Sequence, residues 1–181
     1  MEAGGAQSAP GVIGYAFTRP GATSPFSGER WPGPAGGAPG AWFGRPHACR
    51  AEHLPIWVAD ELWRIELDGH VEEVETRIFA DRGRLLERVT AWDEDAAGAF
   101  AVECCARTRE WVEIGRRDGR GLPAALDAFA ADAGAMTNAR SANVAGYVAA
   151  RAAAHVEGPA AAGAERRRQA EWIMRRLTPA G

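Results

Sequence analysis

An α+β domain is predicted for this chain: a small N-terminal antiparallel sheet with a helical C-terminal half packed on it. Two observations carry that prediction. The N-terminal part is rich in glycine, proline and short alternating apolar runs, and it holds an Asp68-Gly69 hairpin signal. From Leu85 onward, apolar residues recur at helical spacing and the chain becomes alanine-rich. A length of 181 residues, 46% hydrophobic and 25% charged, is that of one ordinary globular domain. The expected division is a disordered tail over residues 1–11 and a single domain over 12–181. Within it, 12–80 is sheet-rich and 81–181 helical.

Taken in order, Val12 to Thr18 reads as a strand with Ile13, Tyr15 and Phe17 on one side. Residues 19–45 form a long turn-rich loop whose GPAGGAPG segment reads as flexible. Phe26, Trp31, Trp42 and Phe43 are unusual in such a segment, so some of them should dock on the core. Residues 51–58 read as a short helix with Pro55 in its first turn and Leu54, Trp57 and Val58 buried. It should deliver Trp57 to the same core as Trp63.

A two-residue Asp68-Gly69 turn would set Leu67 against His70, Ile65 against Glu72, Arg64 against Glu73 and Trp63 against Val74, with His70 to Phe79 as the second strand. Trp63, Ile65 and Leu67 then share a face. Ile65 facing Glu72 is a poor match, which implies a bulge after His70 or a Glu72 that points into a cleft. Leu85, Leu86, Val89 and Trp92 predict a helix, with a strand over 84–89 as the alternative. Asp93 is a candidate N-cap for a helix over 94–117 that ends at the Arg-Arg-Asp-Gly run. Further helices are expected over 123–132, 138–155 and 164–177. The Arg166-Arg167-Arg168 run reads as solvated surface.

Composition narrows the function classes. The formal net charge of −3 argues against nucleic-acid binding. All 21 basic residues are arginine, which excludes lysine Schiff-base chemistry and a Walker-type lysine. Three cysteines, two of them adjacent, form no disulfide framework and point to a reducing cytoplasm. The first residues do not resemble a signal peptide, and no apolar run is long enough to span a membrane. A cytosolic protein without membrane association is expected.

His47-Ala-Cys49-Arg-Ala-Glu-His53 is the sharpest local cluster. His47, Cys49 and His53 could ligate zinc only if a turn gathers them, and no second Cys/His pair stands at finger-like spacing. The competing structural reading has His47 bonded to backbone and Cys49 in the core. Cys49 with His47 or His53 as base is a nucleophile candidate that lacks an acidic orienter or oxyanion hole. Cys104-Cys105 falls within an apolar helical stripe and reads as core. The glycine-rich run over 33–40 lacks the strand and helix that a phosphate loop requires.

The segments PFSGERWP, PHACR, LPIWVADELWRIELDG, ADRGRLLERV and QAEWIMRRL resemble a family of small bacterial proteins of unknown function. These carry a His-Ala-Cys element followed by a short helix and an acidic strand hairpin. The resemblance spans Tyr15 to Leu177 and implies no activity or cofactor. In place of a Cys-x-Gly-x-His approach to that element, this chain has Phe43-Gly44-Arg45-Pro46-His47, which removes an upstream cysteine as a metal ligand.

Two functional readings follow. One is a binding or regulatory module, with Trp31, Trp42 and Trp57 on a surface for a protein partner or small molecule. The other is a small enzyme, metal- or Cys/His-dependent or an NAD-using transferase, with its site between the 19–45 loop and the 61–79 hairpin. Its candidate residues are Arg19, Ser27, His47, Cys49, His53, Glu72 and Glu75. A cleft that converges Arg19, His47 and a glutamate would favour the enzyme, whereas scattered residues around an aromatic patch would favour the module.

Overall fold

The computed structural model describes residues 11–121, 123, 126, 128 and 138–177. Most of the expected helix over 123–132, and residues 1–10 of the expected tail over 1–11, lie outside the described residues. The fold is α+β, with its strands N-terminal and its long helices C-terminal. The strands are β1 (Val12–Thr18), β2 (Phe43–Gly44), β3 (His47–Ala48), β4 (Glu61–Val74) and β5 (Arg77–Arg88). The helices are α1 (Leu54–Trp57), entered through a 3₁₀ turn at Ala51–His53, then α2 (Glu94–Arg117), α3 (Ala139–Glu157) and α4 (Pro159–Leu177).

Asp68-Gly69 does not turn the chain. β4 runs straight through it and ends in a two-residue loop at Glu75-Thr76, where Val74 pairs with Arg77. Gly69 instead forms a bulge: Asp68 pairs with Arg82 and Val71 with Ala80, so Gly69 and His70 together oppose Asp81. The Asp81 carboxylate accepts the free His70 N–H at 2.8 Å. Gly69 has φ +87°, and a Cβ there would lie 2.7 Å from Asp81 Oδ2. Both constraints require glycine. A bulge and a type I′ turn demand the same residue, so Asp-Gly signals either.

The true register replaces the expected cross-strand pairs. Arg64 meets Glu87, with Nη1–Oε1 at 2.8 Å, while Glu66 meets Arg84 and Asp68 meets Arg82. The Asp81-Arg82-Gly83 run does not break the strand, and the stretch from Leu85 takes the alternative strand reading rather than the helix, so the sheet-rich part extends to Arg88 rather than 80. A second irregularity leaves Leu86 as the extra residue between the Arg64–Glu87 and Ile65–Leu85 pairs.

The sheet closes on itself through β3. β1 pairs with the first half of β4, and β4 pairs with β5. The first residues of β5 pair with β3, and Cys49, next to β3, exchanges backbone hydrogen bonds with Tyr15 of β1 at 2.8 and 3.0 Å. The circuit β1-β4-β5-β3-β1 encloses an apolar interior of Ala16, Ala48, Ile65, Leu67, Ile78, Ala80 and Leu85. Trp31 closes it from the 19–45 loop, 3% exposed and stacked on Phe43 at 4.7 Å. Gly40 N–H donates to Leu85 O at 2.8 Å, so the GPAGGAPG segment is tied to the sheet at its end.

A second core lies outside this circuit. Phe17, Leu62, Leu54 and Val58 pack there against Trp92, Phe100, Cys104 and the alanine faces of α2 and α3, with Ile173 of α4. Trp57 borders this core whereas Trp63 borders the barrel interior, so the two tryptophans do not meet in one core. Asp93 caps α2 by accepting from Ala96 N at 2.8 Å, and Asn138 caps α3 by accepting from Ser141 N at 3.0 Å. Arg166 and Arg168 depart from the solvated reading. Arg166 donates to Pro55 O at 3.1 Å, and Arg168 pairs with Glu103 at 2.8 Å beside the buried Glu165. Among the described residues no helix is long and apolar enough to cross a membrane.

Candidate functional site

A narrow crevice opens where the loop after β1, β3, α1 and the start of β5 converge. Its walls include Phe17, Phe26, Ala48 and Trp57, and its polar side chains are those of Tyr15, His47, Cys49 and Arg77. The space open to the centre of a water molecule is about 20 Å³, room for one or two waters. A broad shallow groove continues from it over Pro25, Phe26 and Trp57 to Ala139, Asn143 and Val144 of α3.

His47 is placed by β3, where it pairs with Phe79. Its ring meets Phe26 edge-on at 4.4 Å and Trp31 at 5.0 Å. Its Nε2 is sealed from solvent and has no hydrogen-bond partner among the described residues. Burial, and secondly the charge of Arg77, push the imidazole down to about 4, so it is neutral at physiological pH. Backbone bonding of the ring, the expected structural role, is therefore not what this nitrogen does.

Arg77 is placed by the Glu75-Thr76 turn, which makes it the first residue of β5. Its guanidinium lies 4.2 Å from the Trp57 ring centre and 4.8 Å from that of Phe26. Trp57 is fixed in turn by its indole N–H, which donates to Thr76 O at 3.1 Å. Phe26 is 54% exposed. Its loop is shaped by Ser24, whose Oγ accepts from Phe26 N and Ser27 N at 3.3 and 3.2 Å.

Cys49 is buried at the floor. Burial, reinforced by Glu52, pushes its thiol up to about 12, which keeps it protonated and packs it as a small apolar group.

The fold brings together His47, Cys49 and Trp57 from the expected residues, and adds Arg77 and Phe26. Arg19 lies on the broad groove, with its guanidinium donating to Pro25 O at 3.4 Å. The others stand apart. His53 sits in the 3₁₀ turn, Ser27 is exposed, and Glu72 is exposed opposite Phe79, so it points into no cleft. Glu75 occupies the hairpin turn at φ 52°. Trp31 is core. Trp42, 37% exposed, lies under Arg82 and Arg84 at 4.9 and 4.7 Å on another side of the sheet. Among the described residues no group of three or more His, Cys, Asp or Glu side chains is arranged to hold a metal ion, so His47, Cys49 and His53 are not gathered.

One buried carboxylate was not flagged by the sequence. Glu61, 8% exposed, accepts from Ala22 N at 2.9 Å, Gly21 N at 3.1 Å, Trp63 Nε1 at 3.3 Å and Thr18 Oγ1 at 3.4 Å. Burial raises its pKa, but these donors and Arg88 outweigh that and hold it below the ordinary carboxylate value. Its role is to anchor the start of the loop that carries Phe26. The pattern Glu-Leu-Trp at the start of a strand gives no hint of this, because the donors are backbone groups distant in sequence.

Compared with known protein families, curated proteins and solved structures, the chain matches none. The crevice is therefore argued on its own chemistry.

Proposed function

We propose that this chain is a small cytosolic binding module whose ligand site is the crevice formed by Phe26, His47, Trp57 and Arg77. The observation that carries the reading is the orphaned Nε2 of His47 beside an arginine held by aromatic faces. A sealed polar atom without a partner costs about 1–3 kcal/mol, and a ligand group that meets it recovers that cost. A mostly apolar pocket with a few convergent polar groups is the usual form of a small-ligand site. The absence of any carboxylate among the crevice residues and the protonated state of Cys49 support binding over catalysis. For the family that the chain resembles, the His-Ala-Cys element would then mark both the closure of the sheet and one wall of the site.

The test is titration of the ¹⁵N-labelled protein with phenol, indole, benzamide and benzoate up to about 10 mM, where fragment-sized ligands register. Shifts centred on residues 26, 47, 57 and 77 are expected from at least one compound. Shifts confined to another surface, or none, would overturn the reading.

A further inference from the structure

We propose that the crevice selects a carboxylate carried on a small planar apolar body, bound by the Arg77 fork and the His47 ring. This rests on the reading of the crevice as a ligand site and names the chemistry that it takes.

The Arg77 guanidinium carbon lies over two aromatic rings, 4.2 Å from the Trp57 centre and 4.8 Å from that of Phe26, which holds it at the crevice. Neither ring contact supplies a hydrogen-bond acceptor, and none is seen for the Arg77 N–H groups among the described residues, so they remain available for bidentate recognition. Several arginines of the fold have acidic partners: Arg50 has Glu73, Arg64 has Glu87, Arg82 has Asp68, Arg84 has Glu66 and Arg107 has Glu165. No such partner is seen for Arg77 among the described residues, and no acidic side chain lines the crevice. A half-buried cation without a counter-charge is complementary to an anion.

His47 supplies the second donor. Its Nε2 carries a hydrogen in one neutral tautomer, and no acceptor among the described residues competes for it. Phe26, the exposed wall against the His47 ring, is the side chain that must swing aside to admit an oxygen to Nε2.

Shape decides which anion. A planar carboxylate offers two in-plane acceptors that match a guanidinium fork and one imidazole N–H. A tetrahedral phosphate carries more acceptors and more charge than these two groups satisfy, and the narrow space leaves little room for its hydration. The apolar body would take the place on Trp57 that the Phe26 ring vacates and extend towards the α3 groove.

The experiment compares benzoate, its neutral isostere benzamide, and inorganic phosphate on the full chain, read by amide shifts and by the Nε–H signal of Arg77. Benzoate is expected to bind about tenfold more tightly than benzamide, as charge-assisted hydrogen bonds exceed neutral ones. That preference should vanish in Arg77→Gln and weaken in Arg77→Lys, which keeps the charge without the fork. His47→Gln, with its amide N–H, should retain more benzoate affinity than His47→Leu. If benzamide matches benzoate while crevice signals still shift, the carboxylate assignment fails and the ligand site survives. Phosphate displacing benzoate more effectively than acetate does would also refute it. If no compound moves the crevice signals of a folded protein, both readings fall.

Discussion

His47 links the site to stability through pH, and the size of the link follows from its environment. The imidazole is pushed from 6.5 to about 4 by burial and by Arg77, so the folded protein resists a proton that the unfolded chain accepts. Above about pH 6.5 neither state is protonated and the residue makes no pH-dependent contribution. As the pH falls from there towards 4, the unfolded state gains protons while the folded state does not, and stability drops. The full penalty is about 3 kcal/mol, reached below the folded value. Between about pH 8 and pH 5 it amounts to roughly 2 kcal/mol.

Other groups titrate over that interval, so the measurement is a difference between wild type and His47→Gln. Urea unfolding followed by tryptophan fluorescence gives both stabilities at each pH, with the slopes compared to confirm the same transition. At about pH 8 the variant should be less stable by roughly 1 kcal/mol through lost contact with Phe26 and Trp31. At about pH 5 that gap should shrink by roughly 2 kcal/mol, which leaves the variant equal to or more stable than wild type. An unchanged gap would mean that His47 titrates alike in both states, and the sealed, neutral imidazole would be refuted.

Two further substitutions probe the parts of the fold that place the site. Glu75→Gly should stabilise the protein by about 0.5–1 kcal/mol in the same urea assay, because Glu75 sits at φ 52° where a side chain costs roughly 1–2 kcal/mol. A turn at Asp68-Gly69 would put Glu75 within a strand and reverse that sign. Glu61→Ala should cost about 2–4 kcal/mol by leaving the N–H groups of Gly21 and Ala22 without their acceptor, whereas Glu61→Gln should cost less. The Glu61 contribution is complete above about pH 4.5 and fades as the pH falls through its lower folded value, so the Ala variant should lose less stability than wild type in acid.

What was legible in the sequence was local. The cap at Asp93 and the 24-residue helix behind it are set by residues within a turn of one another. The long apolar period that predicted a helix from Leu85 arose differently. Leu85 faces the barrel interior, while Val89 and Trp92 belong to the outer core. The irregularity at Leu86 and the exit from the strand spaced them as a helix would. Two cores sampled by one bent strand can imitate a period of 3.6.

The same non-local event hid half of the site. His47 and Cys49 drew attention by residue type alone, and the fold does place both at the crevice. Arg77 carried no mark, because its position depends on where the hairpin turns. With the turn at Asp68-Gly69, Arg77 falls near the free end of a strand. With the turn at Glu75-Thr76, it becomes the first paired residue of β5, beside the strand residues that pair with β3. The choice between those registers is made by the match of β4 to residues 82–88, where Ile65 meets Leu85 instead of Glu72 and three ion pairs align. The poor Ile65–Glu72 pair was the one sign in the sequence that the turn lay elsewhere. It pointed to a bulge, and the bulge is Gly69 itself. The residue that most resembled the end of the hairpin lies inside it, and the turn at Glu75-Thr76 places Arg77 at the crevice with His47.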